Sequence, residues 1–410
     1  MYKICCLNNI AKVGTDHLGE GYEFVSEPEG ADALMVRSAN LHEMELADGL
    51  LAIARAGAGV NNIPVERCAE QGVVVFNTPG ANANAVKELV ICGMLLACRD
   101  VIGGAAWVAE NSDDPEVGKK AEKAKKQFGG CELAGKSVGV VGLGAIGAAV
   151  ANSLIDLGCE VMGYDPYLSI NAAWSLDRRI EHVTDLGEML SRCDFVTLHV
   201  PATDATRKMI SAEMIARMPR GAVLLNFARD LLVDEQALAE ALDDGRVGRY
   251  VTDFANPASA NMRNAIVLPH LGASTGEAED NCAVMAANEL KDYLENGNIR
   301  NSVNYGQVDL GPVGEGDERV AIFHENVQGV IGLLSATLAA SGLNIENMTN
   351  KSRGGNAYTL IEVSGDVTPE VSEQLSQVAG VRRVRVIERP EPQPGPLAPG
   401  ASRGERMKVR

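Results

Sequence analysis

The 410-residue chain has no apolar run approaching the ~20 residues that span a bilayer, so neither a membrane protein nor a membrane partner is expected. Its start, Met1-Tyr2-Lys3-Ile4-Cys5-Cys6-Leu7-Asn8-Asn9, holds too short an apolar stretch for a secretory signal. Basic residues are scarce relative to acidic ones: 37 Lys+Arg against 55 Asp+Glu give a net charge of −18. A general nucleic-acid binder needs a basic face, so no nucleic-acid partner is expected, and any anionic small molecule must be met by a local cluster of Arg and Lys. Cysteine pairs at metal-binding or redox spacing are missing. The nine cysteines, an odd number, scatter through apolar segments without a Cys-x-x-Cys, which excludes a disulfide framework and a structural metal site and suits a cytoplasmic location.

Glycine is placed where chemistry needs it. The run Val138-Gly139-Val140-Val141-Gly142-Leu143-Gly144-Ala145-Ile146-Gly147 follows an apolar stretch of strand length and opens an Ala-rich helical pattern ending near Leu157. In that context Gly142 permits a tight turn, Gly144 lets backbone approach a pyrophosphate, and Gly147 lets the helix pack close to the strand. The helix N-terminus at Gly144, Ala145 and Ile146 then faces the phosphate charge. An acidic residue is expected at the end of the next strand to accept hydrogen bonds from the adenine ribose. Asp165 supplies it, 18 residues past Gly147, and no Arg follows to welcome a 2′-phosphate, so NAD is the expected cofactor rather than NADP.

Length allows two or three domains. The first hundred residues alternate apolar runs (Tyr2 to Leu7, Ala33 to Val36, Leu51 to Ala54, Val73 to Phe76) with helical patterns, the rhythm of a parallel sheet covered by helices. One long helix is expected from Asn84 to about Trp107. The lysines of Asp113 to Lys126 alternate with Glu116 and Glu122 and read as a solvated helix face. A second alternating block runs from Lys136 to about Pro269, with strands near Val138, Val161, Phe195, Val223, Tyr250 and Ile266. A helix from Ser274 to Leu294 is long enough to cross back onto the first block. Gly306 to Asp317 reads as a linker, and from Arg319 the pattern strand, helix, strand, strand, helix, strand predicts a small ferredoxin-like unit. The proline-rich end, 389–410, is expected to be disordered.

Several segments together resemble the D-2-hydroxyacid dehydrogenases, most closely the branch acting on 3-phosphoglycerate. They are Val36-Arg37-Ser38, Arg55-Ala56-Gly57-Ala58-Gly59-Val60-Asn61-Asn62, Asn77-Thr78-Pro79-Gly80, the glycine turn, Asn226-Phe227-Ala228-Arg229 before Val233-Asp234-Glu235, and Pro269-His270-Leu271-Gly272-Ala273-Ser274-Thr275. The resemblance implies two doubly wound α/β domains, a substrate domain (1–98 and 288–305) hinged on an NAD-binding Rossmann domain (99–287), followed by a linker (306–318) and a regulatory ACT domain (319–388). It implies His270 as the acid/base and Arg229 as the clamp on the substrate carboxylate, whose planar fork that group matches. It also implies Arg37, Ser38, Arg55 and Gly59 around the substrate, and Pro201, Thr206 and Asp253 beside NAD. His199 reads as a structural or cofactor-edge residue. In the last unit His324, Asn326 and Asn344 match positions that hold an effector L-serine, and a homo-oligomer is implied.

One part of that pattern is absent. The resemblance implies a Glu hydrogen-bonded to the acid/base histidine, yet Thr252-Asp253-Phe254-Ala255-Asn256-Pro257-Ala258 offers no carboxylate beyond Asp253. Asn256 is left to orient the ring, and Asp230, replacing a glycine, is positioned to pair with Arg229. Three functions therefore stand: oxidation of a phosphorylated D-2-hydroxy acid with NAD, reduction of glyoxylate or hydroxypyruvate, and NAD sensing with reduced catalysis.

Overall fold

Runs of aliphatic residues buried on both faces form two parallel sheets, as parallel strands covered by helices must be. The computed structural model describes residues 1–314 and 317–387. In chain order the first block contains β1 (Tyr2–Cys6), α1 (Lys12–Leu18), β2 (Tyr22–Val25), β3 (Ala33–Val36), β4 (Ala52–Arg55), α2 (Val65–Glu70) and β5 (Val74–Asn77). Its sheet has the order β2-β1-β3-β4-β5, all parallel. Then come α3 (Ala83–Cys98), α4 (Val101–Glu110) and α5 (Val117–Ala124).

The second block holds β6 (Ser137–Val141), α6 (Ala145–Asp156), β7 (Glu160–Tyr164), α7 (Ile170–Trp174), β8 (Glu181–His182), α8 (Leu186–Arg192), β9 (Phe195–Leu198), α9 (Ala212–Arg217), β10 (Ala222–Asn226), α10 (Glu235–Asp243), β11 (Val247–Thr252) and β12 (Ala265–Val267). These strands form a parallel sheet in the order β12-β11-β10-β9-β6-β7-β8. In both sheets the order reverses once, between β1 and β3 and between β6 and β9, and such reversals open crevices at the carboxyl ends of the strands.

The expected helix from Asn84 to Trp107 is in fact two, α3 and α4, bent by 69°. Arg99 is extended, and the Asp100 side chain accepts from Gly103 N at 3.0 Å and caps a new helix. Among the described residues no single helix is long and apolar enough to cross a membrane. Helix α3 packs into the core of the seven-stranded sheet through Val90 and Met94. The 21-residue α11 (Gly276–Asn296), capped by Thr275, packs into the core of the five-stranded sheet, where Gly14 of α1 lies directly against the Ala283 backbone. These two helices tie the blocks together and frame the cleft.

Glu289 of α11 is buried there, 7% exposed, with Oε1 accepting from Asn301 Nδ2 at 2.7 Å and Oε2 unpartnered. Burial pushes its pKa up to about 8, so the folded chain holds a proton that the unfolded chain releases near pH 4.3. The stability contributed is complete below that lower value and is lost as pH rises through about 8. Glu289→Gln is expected to flatten this fall, read as the urea midpoint at pH 5, 6.5 and 8; parallel slopes in the two proteins would show that Glu289 is already ionised.

The last unit runs β13 (Asp317–Glu325), α12 (Val330–Ala340), β14 (Asn344–Arg353), β15 (Asn356–Ser364), α13 (Pro369–Ser376) and β16 (Val381–Ile387), an antiparallel sheet in the order β14-β15-β13-β16. This is the ferredoxin-like pattern. One sheet face carries α12 and α13 over Val320, Ile322 and Ile361. The other joins the core of the first block, with Phe323 meeting Tyr305 near edge-on at 5.0 Å. The segment 306–314, read as a linker, is packed down: Val308 pairs with Ile299 and is 2% exposed. Residues 389–410 lie outside the described residues.

Candidate active site

A cleft of about 630 Å³ opens where the carboxyl edges of the two parallel sheets face each other. Arg37, Ser38, Arg55, Gly59, Arg229 and His270 all line it. Their placement follows from topology: Arg37 succeeds β3, Arg55 ends β4, Arg229 follows β10 and His270 follows β12. The Arg37 loop is pinned by Asn8, whose Oδ1 accepts from the backbone N–H groups of Arg37, Ser38 and Ala39 at 2.9, 2.9 and 3.0 Å. Arg55 Nε donates to the Arg37 carbonyl at 3.1 Å, and burial together with the positive charges of Arg229 and Arg37 lowers its pKa. Gly59 lies close to the guanidinium, since an added Cβ would lie 3.3 Å from Arg229 Nη2.

Phe254 joins the two sides of the cleft's His-Arg end. Its ring lies 4.7 Å from that of His270 and 5.7 Å from the Arg229 guanidinium carbon, so one aromatic ring packs against both the histidine and the arginine. Two expectations about this end need correction. Asn256 does not serve His270: its Nδ2 donates to Glu235 at 2.6 Å and its Oδ1 accepts from Ser259 N at 2.8 Å, so its amide is spent on its own loop and on α10. Asp230 does not pair with Arg229 either; its Oδ1 accepts from Leu231 N at 2.9 Å, while Arg229 Nη1 donates to the Ala228 carbonyl at 2.6 Å. The carboxylate that meets the His270 loop is Asp253, 1% exposed, which accepts from Gly272 N at 2.9 Å. Burial raises the Asp253 pKa, against the pull of that N–H and of nearby His270.

The glycine turn has the geometry a dinucleotide needs. Gly142 sits at φ 89°, in the left-handed region, and an added Cβ at Gly147 would fall 1.8 Å from the Gly142 carbonyl oxygen. Nothing lies within 4 Å of the Cβ position at Gly144, and no side chain caps α6 there, so its first N–H groups are open to an anion. Asp165 accepts from Leu143 N and Tyr167 N, both at 2.9 Å, one bond per oxygen, which leaves lone pairs for ribose hydroxyls. Asp253 Oδ1 is buried without a partner, an orphan acceptor that a carboxamide N–H would satisfy. Thr206 folds the loop after β9 by donating to the Pro201 carbonyl at 2.6 Å. His199 packs beside the turn, its Nε2 3.0 Å from Thr197 Oγ1, and burial pushes its pKa down to about 3, which keeps it neutral.

The effector trio is not brought together in one chain. His324 is 3% exposed with both ring nitrogens engaged, Nδ1 2.8 Å from the Glu325 carbonyl and Nε2 2.8 Å from Thr359 Oγ1. Asn326 follows His324, which pairs with Ala357, whereas Asn344 pairs with Ser364 at the other end of β15. Residues that sequence reasoning missed are Asn8, Phe254 as a shared platform, and Glu279 on α11, whose Oε1 receives Arg37 Nη2 at 2.6 Å. Asn8 carried one signal, a polar residue just past β1; Glu279 carried none, because its partner is 242 residues away.

Comparison with known proteins agrees with this geometry. The family described as D-isomer specific 2-hydroxyacid dehydrogenase, NAD binding domain, matches residues 91–272. A D-3-phosphoglycerate dehydrogenase of Methanocaldococcus jannaschii is 37% identical over 302 residues, 72% of this chain, though the chain spans only 55% of that relative's length. One from Haemophilus influenzae is 30% identical over 358 residues, covering 84% of this chain and 83% of the relative. Among solved structures, the NAD+-bound 3-phosphoglycerate dehydrogenase of Entamoeba histolytica superposes with a TM-score of 0.59 at 27% identity, over 74% of this chain and 98% of that one. With two facing parallel sheets, an open glycine turn and an Arg-His cleft, the chain belongs to the D-isomer specific 2-hydroxyacid dehydrogenases, and its seven-stranded sheet is that family's NAD-binding domain.

Proposed function

We propose that the protein oxidises 3-phospho-D-glycerate to 3-phosphohydroxypyruvate with NAD, the step that opens L-serine synthesis. The reading rests on one observation: three guanidinium groups and one imidazole share the cleft, enough to hold an anion at each end of a short hydroxy acid. Arg229 takes the carboxylate in a bidentate pair, Arg37 and Arg55 with Ser38 and Gly59 take the phosphate, and His270 accepts the hydroxyl proton. Bound NAD would supply the hydride acceptor. Gly142, Gly144, Ala145, Ile146 and Gly147 would hold its pyrophosphate, with Pro201 and Thr206 beside it, Asp165 its ribose, and Asp253 its carboxamide. Phe254 keeps proton acceptor and carboxylate clamp in register, and hinging of the two sheets around the cleft would exclude water.

The protein is read as a cytoplasmic homo-oligomer. Its apolar α4 leaves Val101, Ile102 and Val108 about half exposed, a surface suited to a second copy. The C-terminal unit is read as an ACT domain. If it senses serine, Asn326 and Asn344 must come from two copies, since one chain holds them at opposite ends of the sheet.

The test is NADH formation with 3-phosphoglycerate, D-glycerate and D-lactate. The expected result is a kcat/KM for the phosphorylated acid higher by an order of magnitude or more, as hydrogen bonds to charged groups are worth about 1.5–3 kcal/mol. Preference for hydroxypyruvate or glyoxylate reduction would move the assignment to that branch. NAD binding without turnover would make the chain a sensor.

A further inference from the structure

The cleft holds its own anion. Arg37, Arg55 and Arg229 gather positive charge there, and Arg55 feels both of the others. Glu279, in the first turn of α11, lines the same cleft and pairs with Arg37, Nη2 to Oε1 at 2.6 Å, both side chains 42% exposed. The backbone around Arg37 is not free to adjust, since Asn8 holds three successive N–H groups. What can change is the partner of the guanidinium.

We propose that Glu279 is the free enzyme's surrogate for the distal anion of the substrate: it occupies Arg37 until that group displaces it, and so sets the affinity of the subsite. The inference rests on reading Arg37 as the cation facing the phosphate. The exchange is chemically reasonable in both directions. A phosphate ester carries roughly −1.5 to −2 charges at neutral pH against −1 for the carboxylate, so it wins Arg37 by charge alone. The displaced Glu279 is half in water already, and it sits near the positive end of a long helix, so its ionised form remains stabilised after Arg37 is lost. A hydroxy acid with no distal charge does not break the pair and leaves Arg37 closed.

The rival explanation is that Glu279 is only a helix-end acid or a support that orients Arg37. Titration of the NAD-loaded protein with inorganic phosphate separates these. Glu279→Gln is expected to tighten phosphate about two- to five-fold, the worth of a half-exposed ion pair. Its KM for 3-phosphoglycerate should fall alike while that for D-glycerate stays put. Glu277→Gln, which removes an acid from the first turn of the same helix, should change neither, and Arg37→Ala/Glu279→Gln should lose the gain. Phosphate binding unchanged or weakened in Glu279→Gln, or an equal gain in either control, overturns the proposal. Should the wild type fail to turn over 3-phosphoglycerate, the substrate assignment falls on its own, and the phosphate titration still decides whether Glu279 competes for Arg37.

Discussion

Replacing His270 by Gln is expected to lower kcat by about 10²- to 10⁴-fold, the usual worth of a positioned general acid or base. KM for the hydroxy acid should move little, because Arg229 and the Arg37-Arg55 pair remain, and NAD affinity, followed by fluorescence quenching, should be unchanged. Gln keeps the polarity of the position and fills space against Phe254, whose ring is 4.7 Å from the imidazole, so collapse of the site is not the cause of the loss. A variant within a few-fold of wild type would remove His270 from the proton path. An alternative group lining the cleft is Asp230, whose carboxylate is not tied to Arg229.

The second large effect concerns Arg319, 1% exposed at the start of the C-terminal unit. Its Nε donates to Glu362 Oε2 at 2.7 Å. Its Nη1 reaches the carbonyls of Asn296 and Gly311 at 2.9 and 2.7 Å, and its Nη2 those of Leu310 and Pro312 at 3.0 and 2.9 Å. One planar fork thus fastens the end of α11, the 310–312 segment and the last sheet. Arg319→Met leaves Glu362 buried beside Asn347 without its cation and takes a donor from four carbonyls, of which that of Gly311 keeps Asn298 Nδ2, at a cost of about 3–5 kcal/mol. The expected readout is an early unfolding transition in urea, with protease cleavage around 306–314. Arg319→Met/Glu362→Leu should recover most of the loss, since the unpaired charge is gone. A single variant within about 0.5 kcal/mol of wild type would mean that the docking relies on the Tyr305-Phe323-Tyr358 cluster and on the bonds from Arg382, Arg383 and Arg385 to the first block.

This clamp also shows why a linker was read where the chain is packed. Gly306 to Asp317 is rich in glycine, and composition reports local freedom, whereas the carbonyls of 310–312 are held by a side chain whose guanidinium is directed at them only after the last sheet docks. The helix from Asn84 to Trp107 failed for a local reason: Asp100 offers a cap, and α3 turns off the seven-stranded sheet at that point. For His324 the strand-end position is visible in the sequence, while the Thr359 hydroxyl that meets its Nε2 is not.

The sequence by itself determined the strands of both parallel sheets except the edge strands β2 and β8, and the glycine turn with Asp165, while the resemblance of its segments to a known family pointed to Arg37, Arg55, Arg229 and His270 for the cleft. The strands and the turn rest on short-range chemistry, strand burial and a positive φ at Gly142, whereas the cleft residues rest on matched motifs. Only the tertiary structure decided which partners those side chains take. Phe254 packs against both His270 and Arg229, Asn256 turns to Glu235, and Glu279 arrives on Arg37 from a helix 242 positions along the chain. Pairings of that kind depend on how two sheets and a crossing helix pack, a balance of long-range burial and electrostatics that no local spacing encodes.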